Sequence, residues 1–411
     1  MKIVVIPATY NEKGNIERLI TILEEEAFPK IKNHDMYILV ADDNSPDGTA
    51  DVVRDLMKKW KNLDVSSGEK KGLGAAYVRA MTYAIDKMGA DIVCEIDADL
   101  SHDPREIPNF IKKLDEGNDI VVGTRYSNGG SMPENWPFIR KLFSVTANLI
   151  VRSVTGRFKI HDWTGGFRAL KKEVFLKEKD KVKSYQGYTF QVAFLFNAVM
   201  DGFKVGEVPI HFADRTLGRS KIAPLEYIIN LLTYIIIARI KELQRFIKFL
   251  FVGGTGFIVQ VASQELSYRL GFATALTMIF ASIQTSGASG INATAQGVAA
   301  GIGAEAAILS NFFLNNFWTF NDTNKLKETS SFIIRLLKFN TTSLVAIFLQ
   351  GGAVALGVII LGDSLHILSF TVPTRIVVLF PTIIFLVIPL NYFIYNKFIW
   401  KTHNLKNEKT S

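Results

Sequence analysis

The chain has 411 residues, with 47 Lys and Arg against 39 Asp and Glu, a formal net charge of +8, and a hydrophobic fraction of 48%. The basic excess is thinly spread and forms no stripe interleaved with aromatic residues, which excludes nucleic acid as a partner. Cys94 is the only cysteine, so an intramolecular disulfide is excluded and a reducing compartment is the easier fit.

The chain opens on a strand, Ile3 to Ile6, too short and too quickly polar at Pro7 to serve as a signal peptide. A helix over Ile16 to Glu26 follows, then a strand at Tyr37 to Ala41, a helix at Thr49 to Lys59, and a helix at Leu73 to Met88. The run Asp91-Ile-Val-Cys-Glu-Ile is a buried strand closing on Asp97-Ala98-Asp99, and Asp119 to Gly123 is another strand. This alternation predicts an α/β head with a mostly parallel sheet and helices on both faces. Ligands on such sheets bind outside the carboxyl ends of the strands, where Pro7 to Glu12, Asp42-Asp43 and Asp97 to Asp99 fall together.

Residues 1–224 form this soluble head, and the composition then changes. Leu225, Ile228, Ile229, Leu232, Ile235 and Ile236 recur at helical spacing, with Arg239, Lys241, Arg245 and Lys248 after them. Residues 225–248 are therefore expected to be amphipathic helices lying in a bilayer interface. Beyond Phe249 no Asp, Glu, Lys or Arg occurs between Leu270 and Ala304, between Phe339 and Gly362, or between Ile376 and Asn396. A helix needs about 20 apolar residues to cross a bilayer. Four spans are expected, near 249–269, 298–318, 339–361 and 376–396, within a membrane domain of 249–400 followed by a polar tail, 401–411. Glu265, Arg269 and Glu305 sit inside or beside these spans, where ionisable groups are costly and often paired or functional, and Arg269 is expected to snorkel to the interface. Lys325, Lys327, Arg335 and Lys338 lie between spans two and three and Lys397 and Lys401 follow span four. That bias places both ends and the head on the cytosolic side, at the plasma membrane if the cell is prokaryotic.

Two acids at a strand end, Asp97 and Asp99, can share a hard cation such as Mg2+ or Mn2+ with a nucleotide diphosphate. Taken alone, so short a pattern is more often a pair of solvated loop acids. Asp42-Asp43-Asn-Ser-Pro-Asp-Gly-Thr49 follows the second strand: an acid there can accept from a base or ribose, while Asp47 or Thr49 caps the next helix. Lys70-Lys71-Gly72-Leu-Gly74 starts the third helix, and a helix N-terminus with lysines welcomes phosphate.

These motifs together resemble a family 2 glycosyltransferase of the Rossmann-like GT-A fold, more narrowly the dolichol-phosphate mannose synthases. The resemblance is carried by Pro7-Ala-Thr-Tyr10-Asn-Glu12, Asp42 to Thr49, Gly72-Leu-Gly74, Asp97-Ala-Asp99-Leu-Ser-His, Gly123-Thr-Arg125-Tyr126 and Asn135-Trp136-Pro137. Asp162-Trp-Thr-Gly-Gly-Phe-Arg168, Gly187-Tyr-Thr-Phe-Gln191 and Asp214-Arg215-x-x-Gly-x-Ser220-Lys221 extend it to the end of the head. Asn311-x-x-x-Asn315-Asn316-x-Trp-Thr-Phe320 resembles the four-span GtrA-type membrane domain.

The resemblance implies that Pro7, Tyr10, Glu12, Val40 and Asp42 hold the base and ribose of a sugar nucleotide. It implies that Asp97, Ala98 and Asp99 hold the metal and diphosphate. Many relatives have Gln two residues after the second Asp; Ser101 stands there in this chain, as the third protein ligand or in place of one. The implied reaction is inverting transfer of mannose from GDP-mannose to a polyprenyl or dolichyl phosphate, with UDP-glucose as the rival donor. Lipid-linked sugar transport by the membrane domain and an inactive scaffold are readings from other classes. A phosphate acceptor is already ionised at neutral pH and needs cations rather than a strong base, which suits Arg125, Arg140, Arg215 and Lys221, with the Ser144 hydroxyl. Arg125, Arg215 and Lys221 would serve the donor as well. His102 is then neither base nor ligand, and Asp162 and Gln191 orient the sugar or buttress the arginines.

Overall fold

The first strand, β1 (Lys2–Thr9), is buried from Ile3 to Pro7, as a strand covered on both faces must be. The other strands of the head are β2 (Asp35–Asp42), β3 (Leu63–Ser67), β4 (Ile92–Asp97), β5 (Ile120–Thr124), β6 (Arg168–Lys171) and β7 (Val205–Pro209). The computed structural model describes residues 1–185, 187–214, 225–281, 288–321, 332–362, 364–367 and 370–400. It joins these strands in one seven-stranded sheet of order β3-β2-β1-β4-β6-β5-β7. β1 pairs in parallel with β2 and β4, β2 with β3, and β5 with β7, while β6 runs antiparallel between β4 and β5. The strands expected from the sequence are present; β3, β6 and β7 are additions. β3 and β6 are short and half polar (Leu-Asp-Val-Ser-Ser and Arg-Ala-Leu-Lys), so their apolar signal is weak.

The head helices are α1 (Lys13–Ile22), α2 (Thr49–Leu56), α3 (Leu73–Asp86), α4 (Ile107–Asp115), α5 (Phe138–Thr155), α6 (Lys172–Val182) and α7 (Gly187–Met200). Successive residues of β1 serve opposite faces of the sheet. Val4 and Ile6 join one core with Tyr77, Met81, Phe175 and Phe194; Ile3 and Val5 join another with Ile16, Leu19, Phe110 and Phe167. The two cores pin every strand of the central sheet, and the loops at its carboxyl edge are left to carry chemistry.

The chain divides into two compact units, Met1–Ile240 and Lys241–Ser411. The first reaches past residue 224 because α8 (Leu225–Arg269) supplies Leu231 and Ile235 to the head core, with Tyr234 and Ala238 packed against it. The sequence leads one to expect one or two interface helices over 225–248, and the structure refines this. That segment is the first half of one continuous 45-residue helix, and part of its apolar face is core of the head.

The second unit contains α9 (Phe272–Ala281), α10 (Ala288–Leu314), α11 (Phe332–Leu361), α12 (Thr374–Pro381) and α13 (Ile388–Ile394). A short hairpin of β8 (Ser364–Ile367) and β9 (Phe370–Pro373) precedes α12. Among the described residues three helices are long and apolar enough to cross a membrane: Ile229–Arg269, Phe332–Leu361 and Thr382–Ile399. Helix α10 lies where the sequence places a further span. Phe312 and Phe320 pack with Phe249, Phe339, Tyr395 and Trp400, and the indole of Trp400 stacks on Phe320 at 4.4 Å and donates to Asn316. The expected Asn311 to Phe320 motif thus forms the aromatic core of this unit. Arg269 pairs with Glu265 one turn away. Lys325, Lys327 and the tail 401–411 lie outside the described residues.

Candidate active site

Three strand ends of the head converge, but they are not the three expected: β5 takes the place of β2, whose Asp42-Asp43 are not among the residues lining the cavity. Ala8, Tyr10 and Glu12 at the end of β1 and after it, Asp97, Ala98, Asp99 and Ser101 at the end of β4 and after it, and Arg125 just after β5 line one cavity of about 330 Å³. Arg140 and Trp136 reach it from the start of α5, Gln191 from α7, and Gly165 and Gly166 from the loop before β6.

The Asp97 loop is held in an unusual backbone shape. Leu100 adopts a positive φ of 62°, strained for a branched side chain. That turn lets the Ser101 N–H donate to Asp99 Oδ1 at 3.0 Å. The Asp97 N–H donates to His102 Nδ1 at 3.3 Å, so that nitrogen is an acceptor. His102 is buried, stacked on Phe167 at 5.1 Å and met edge-on by Phe212 at 5.2 Å. Burial lowers its pKa, with Asp97 and Asp99 opposing. A neutral histidine packed among rings is a wall of the loop, as the sequence anticipates.

Ser101 bears on the metal. It is 1% exposed, and its Oγ has no hydrogen-bond partner among the described residues. A buried hydroxyl beside two carboxylates, with acceptor capacity unused, fits a hard cation's oxygen ligand. No group of three His, Cys, Asp or Glu able to hold a metal occurs among the described residues, so phosphate or water oxygens would complete the shell.

On the opposite wall Arg125 is held in a fork by Asp162. Nε donates to Oδ2 at 2.7 Å and Nη2 to Oδ1 at 3.0 Å, and Nη2 also reaches Thr164 Oγ1 at 2.9 Å. Asp162 is fully buried. Burial alone would raise its pKa, yet the guanidinium and its hydrogen bonds hold the carboxyl below its ordinary value. Asp162 therefore buttresses Arg125, one of the two roles expected of it. Arg140 stacks over the Trp136 ring at 3.6 Å, and Asp214 Oδ1 accepts from the Trp136 indole at 3.3 Å. Ser144, on α5, shares a 2.6 Å hydrogen bond with the Tyr126 hydroxyl.

Of the remaining expected residues, Tyr10 is on the cavity wall and Pro7, Val40 and Asp42 are not. Pro7 is buried in β1, and Val40 is 0% exposed in the sheet core, with no side-chain surface to offer a base. Asp42 is buried; Oδ1 accepts from the hydroxyls of Thr9 and Ser45 and Oδ2 from the Ser45 N–H, so it pins the loop that follows. Asp47 accepts from the Thr49 N–H at 3.0 Å and starts α2. Tyr10 carries Lys70 Nζ over its ring at 3.3 Å. Arg215 and Lys221 lie outside the described residues.

One buried network was missed. Glu95, opposite Arg168 in the β4–β6 register, is fully buried and accepts from Gln191 Nε2 at 2.9 Å. Burial pushes Glu95 up to about 7, with Arg168 opposing. Arg168, also fully buried, donates to the carbonyls of Gly165, Gln191 and Trp163. A glutamate inside an otherwise apolar strand was the available signal, since a buried acid demands partners.

Residues 3–178 match the family described as Glycosyl transferase family 2, and residues 248–400 match the GtrA/DPMS transmembrane domain. The class is thereby defined: a membrane glycosyltransferase with a GT-A head on a mostly parallel sheet. Dolichol-phosphate mannosyltransferase of Pyrococcus furiosus is 32% identical over 350 residues, 84% of this chain and 87% of that one. Polyprenol monophosphomannose synthase of Mycolicibacterium smegmatis is 39% identical over 223 residues, 54% of this chain and 80% of that one. The solved glucosyl-3-phosphoglycerate synthase of Mycobacterium tuberculosis, with Mn2+, UDP and phosphoglyceric acid, is 18% identical, with a TM-score of 0.39 over 58% of this chain and 78% of that one. The chain belongs to the dolichol-phosphate mannosyltransferase family.

Proposed function

We propose that the protein transfers mannose from GDP-mannose to a polyprenyl phosphate at the cytosolic face of a membrane, with inversion at the anomeric carbon. One observation carries the reading: Arg125 and Arg140 line the same cavity as Asp97 and Asp99, and α5, which bears Arg140, exposes Phe138, Ile139, Leu142 and Phe143. Two acids, two guanidinium groups and an apolar helix face are what a reaction between a sugar diphosphate and a lipid phosphate needs. The relatives' names support mannosyl transfer to a polyprenyl phosphate, and the three apolar helices supply a bilayer context.

Asp97 and Asp99, with Ser101, would hold a divalent cation, Mg2+ or Mn2+; when bound it neutralises the leaving diphosphate. Tyr10 and Glu12 lie on the cavity wall and would meet the nucleotide there. Arg125, fixed by Asp162, and Arg140, fixed by Trp136, draw the acceptor phosphate toward the donor and offset repulsion between two anions. The acceptor oxygen is already ionised, so no side chain has to remove a proton, in keeping with a buried, neutral His102. Direct attack opposite the leaving diphosphate turns an α-linked donor into a β-linked lipid phosphate sugar. Arg215 and Lys221 remain assigned to both phosphates on sequence alone.

The test is direct. Membranes containing the protein are incubated with polyprenyl phosphate, a divalent cation and labelled GDP-mannose or UDP-glucose, and the lipid fraction is counted. Label from GDP-mannose is the expected result; label from UDP-glucose alone reassigns the donor, and label from neither refutes the transfer.

A further inference from the structure

Glu95 lies one turn of the pleat before Asp97, on the same face of β4, and nothing in the transfer chemistry described above uses it. Its carboxylate is wholly buried, and Oε2 accepts from Gln191 Nε2 at 2.9 Å. That contact fixes the Gln191 amide with its nitrogen end toward Glu95. The second constraint comes from the cavity side. Gly166 has no side chain, and the point where its Cβ would stand is 3.7 Å from Gln191 Nε2 and 3.8 Å from Asp97 Oδ1. Gln191 Nε2 and Asp97 therefore border one small space left open by a glycine, with Gln191 and Gly166 both on the cavity wall. Turned the other way, the amide oxygen would meet Glu95 and stand beside Asp97, acid against acceptor on both sides. Arg168 anchors the arrangement from behind by donating to the Gln191 carbonyl at 2.7 Å.

We propose that Glu95 is a positioning residue for the donor sugar: it turns the Gln191 amide so that the second N–H donates to a sugar hydroxyl in the space beside Asp97. The inference rests on the sugar-nucleotide reading above. It adds a residue that selects for the sugar and leaves the nucleotide and the lipid phosphate untouched.

The expected signature is a change in sugar recognition alone. In full-length protein in detergent, Glu95→Gln gives a residue that can donate as well as accept, so the amide of Gln191 is no longer fixed. Loss of one hydrogen bond weakens GDP-mannose by roughly three- to tenfold, while the affinity for GDP and the KM for polyprenyl phosphate stay at wild-type values. Gln191→Leu reproduces that loss, and Glu95→Gln adds nothing further in the Gln191→Leu background, as two residues acting through one contact must behave. Equal weakening of GDP and GDP-mannose, or a full additional loss in the double variant, overturns the proposal. If Glu95→Gln does not fold, Gln191→Leu decides by itself, since unchanged preference for GDP-mannose over GDP is incompatible with the contact. Wild-type protein that transfers no mannose refutes the donor reading and the proposal together; transfer with an additive cycle refutes the proposal alone.

Discussion

At the scale of single residues, the Asp97-Ala98-Asp99 loop carries more than two charges. Its shape depends on Leu100 in a left-handed conformation and on the Ser101 N–H donating to Asp99. Asp99→Ala removes a proposed metal ligand and that turn contact together, and the proposed mannosyl transfer is expected to fall by at least about 100-fold while the head still unfolds cooperatively; near-normal turnover would remove Asp99 from the proposed metal site. A second acid, in α6, reports on stability. Glu178 in α6 is raised to about 7 by burial, with Lys181 opposing at 3.0 Å. A carboxyl whose folded pKa lies above its unfolded value binds more protons when folded, so the head loses stability as pH rises from about 4.5 to 7. Glu178→Gln is therefore expected to melt higher than wild type at pH 8 and to lose that advantage near pH 5; an equal difference at both would contradict the shifted titration.

At the scale of elements, the instructive helix is α8. Its apolar spacing is legible in the sequence, but spacing does not say what the apolar face meets. Leu231 and Ile235 are 6% and 1% exposed within the head core. Burying each stabilises by about 1.5–3 kcal/mol. A head that stops at residue 224 is thus expected to unfold at clearly lower urea concentration than one that stops at Arg245, and equal midpoints would mean that α8 contributes nothing to the head. Helix α5 shows the converse. It leaves Phe138, Ile139, Leu142 and Phe143 in the open beside Arg140, an arrangement that the Asn135-Trp136-Pro137 motif does not reveal.

At the scale of the whole molecule, every described residue that lines the cavity belongs to the unit Met1–Ile240. Protein cut after Arg245 is accordingly expected to keep synthesis with a short-chain polyprenyl phosphate in detergent, measured as labelled lipid product. Complete loss with a folded head would assign the second unit a part in catalysis. The membrane unit is a separate packing problem, solved by the Phe312, Phe320, Phe339, Tyr395 and Trp400 rings, and its Asn311 to Phe320 motif is spent on that core.

The sequence by itself determined the α/β head and the apolar C-terminal half, and it singled out Asp97-Ala98-Asp99 and Arg125, residues that meet in one cavity. The first two are written in local period and in charge-free length, and the motif residues stand out only because several short motifs occur together in order. Only the tertiary structure decided which of those residues share a space. It buried Val40 and turned Asp42 into a loop pin. It joined Asp162 to Arg125 across the chain, and it set Glu95 against Gln191 and Arg168. Those outcomes depend on strand order, on the antiparallel insertion of β6 and on the partners a buried charge finds, and such long-range choices leave no period in a linear chain.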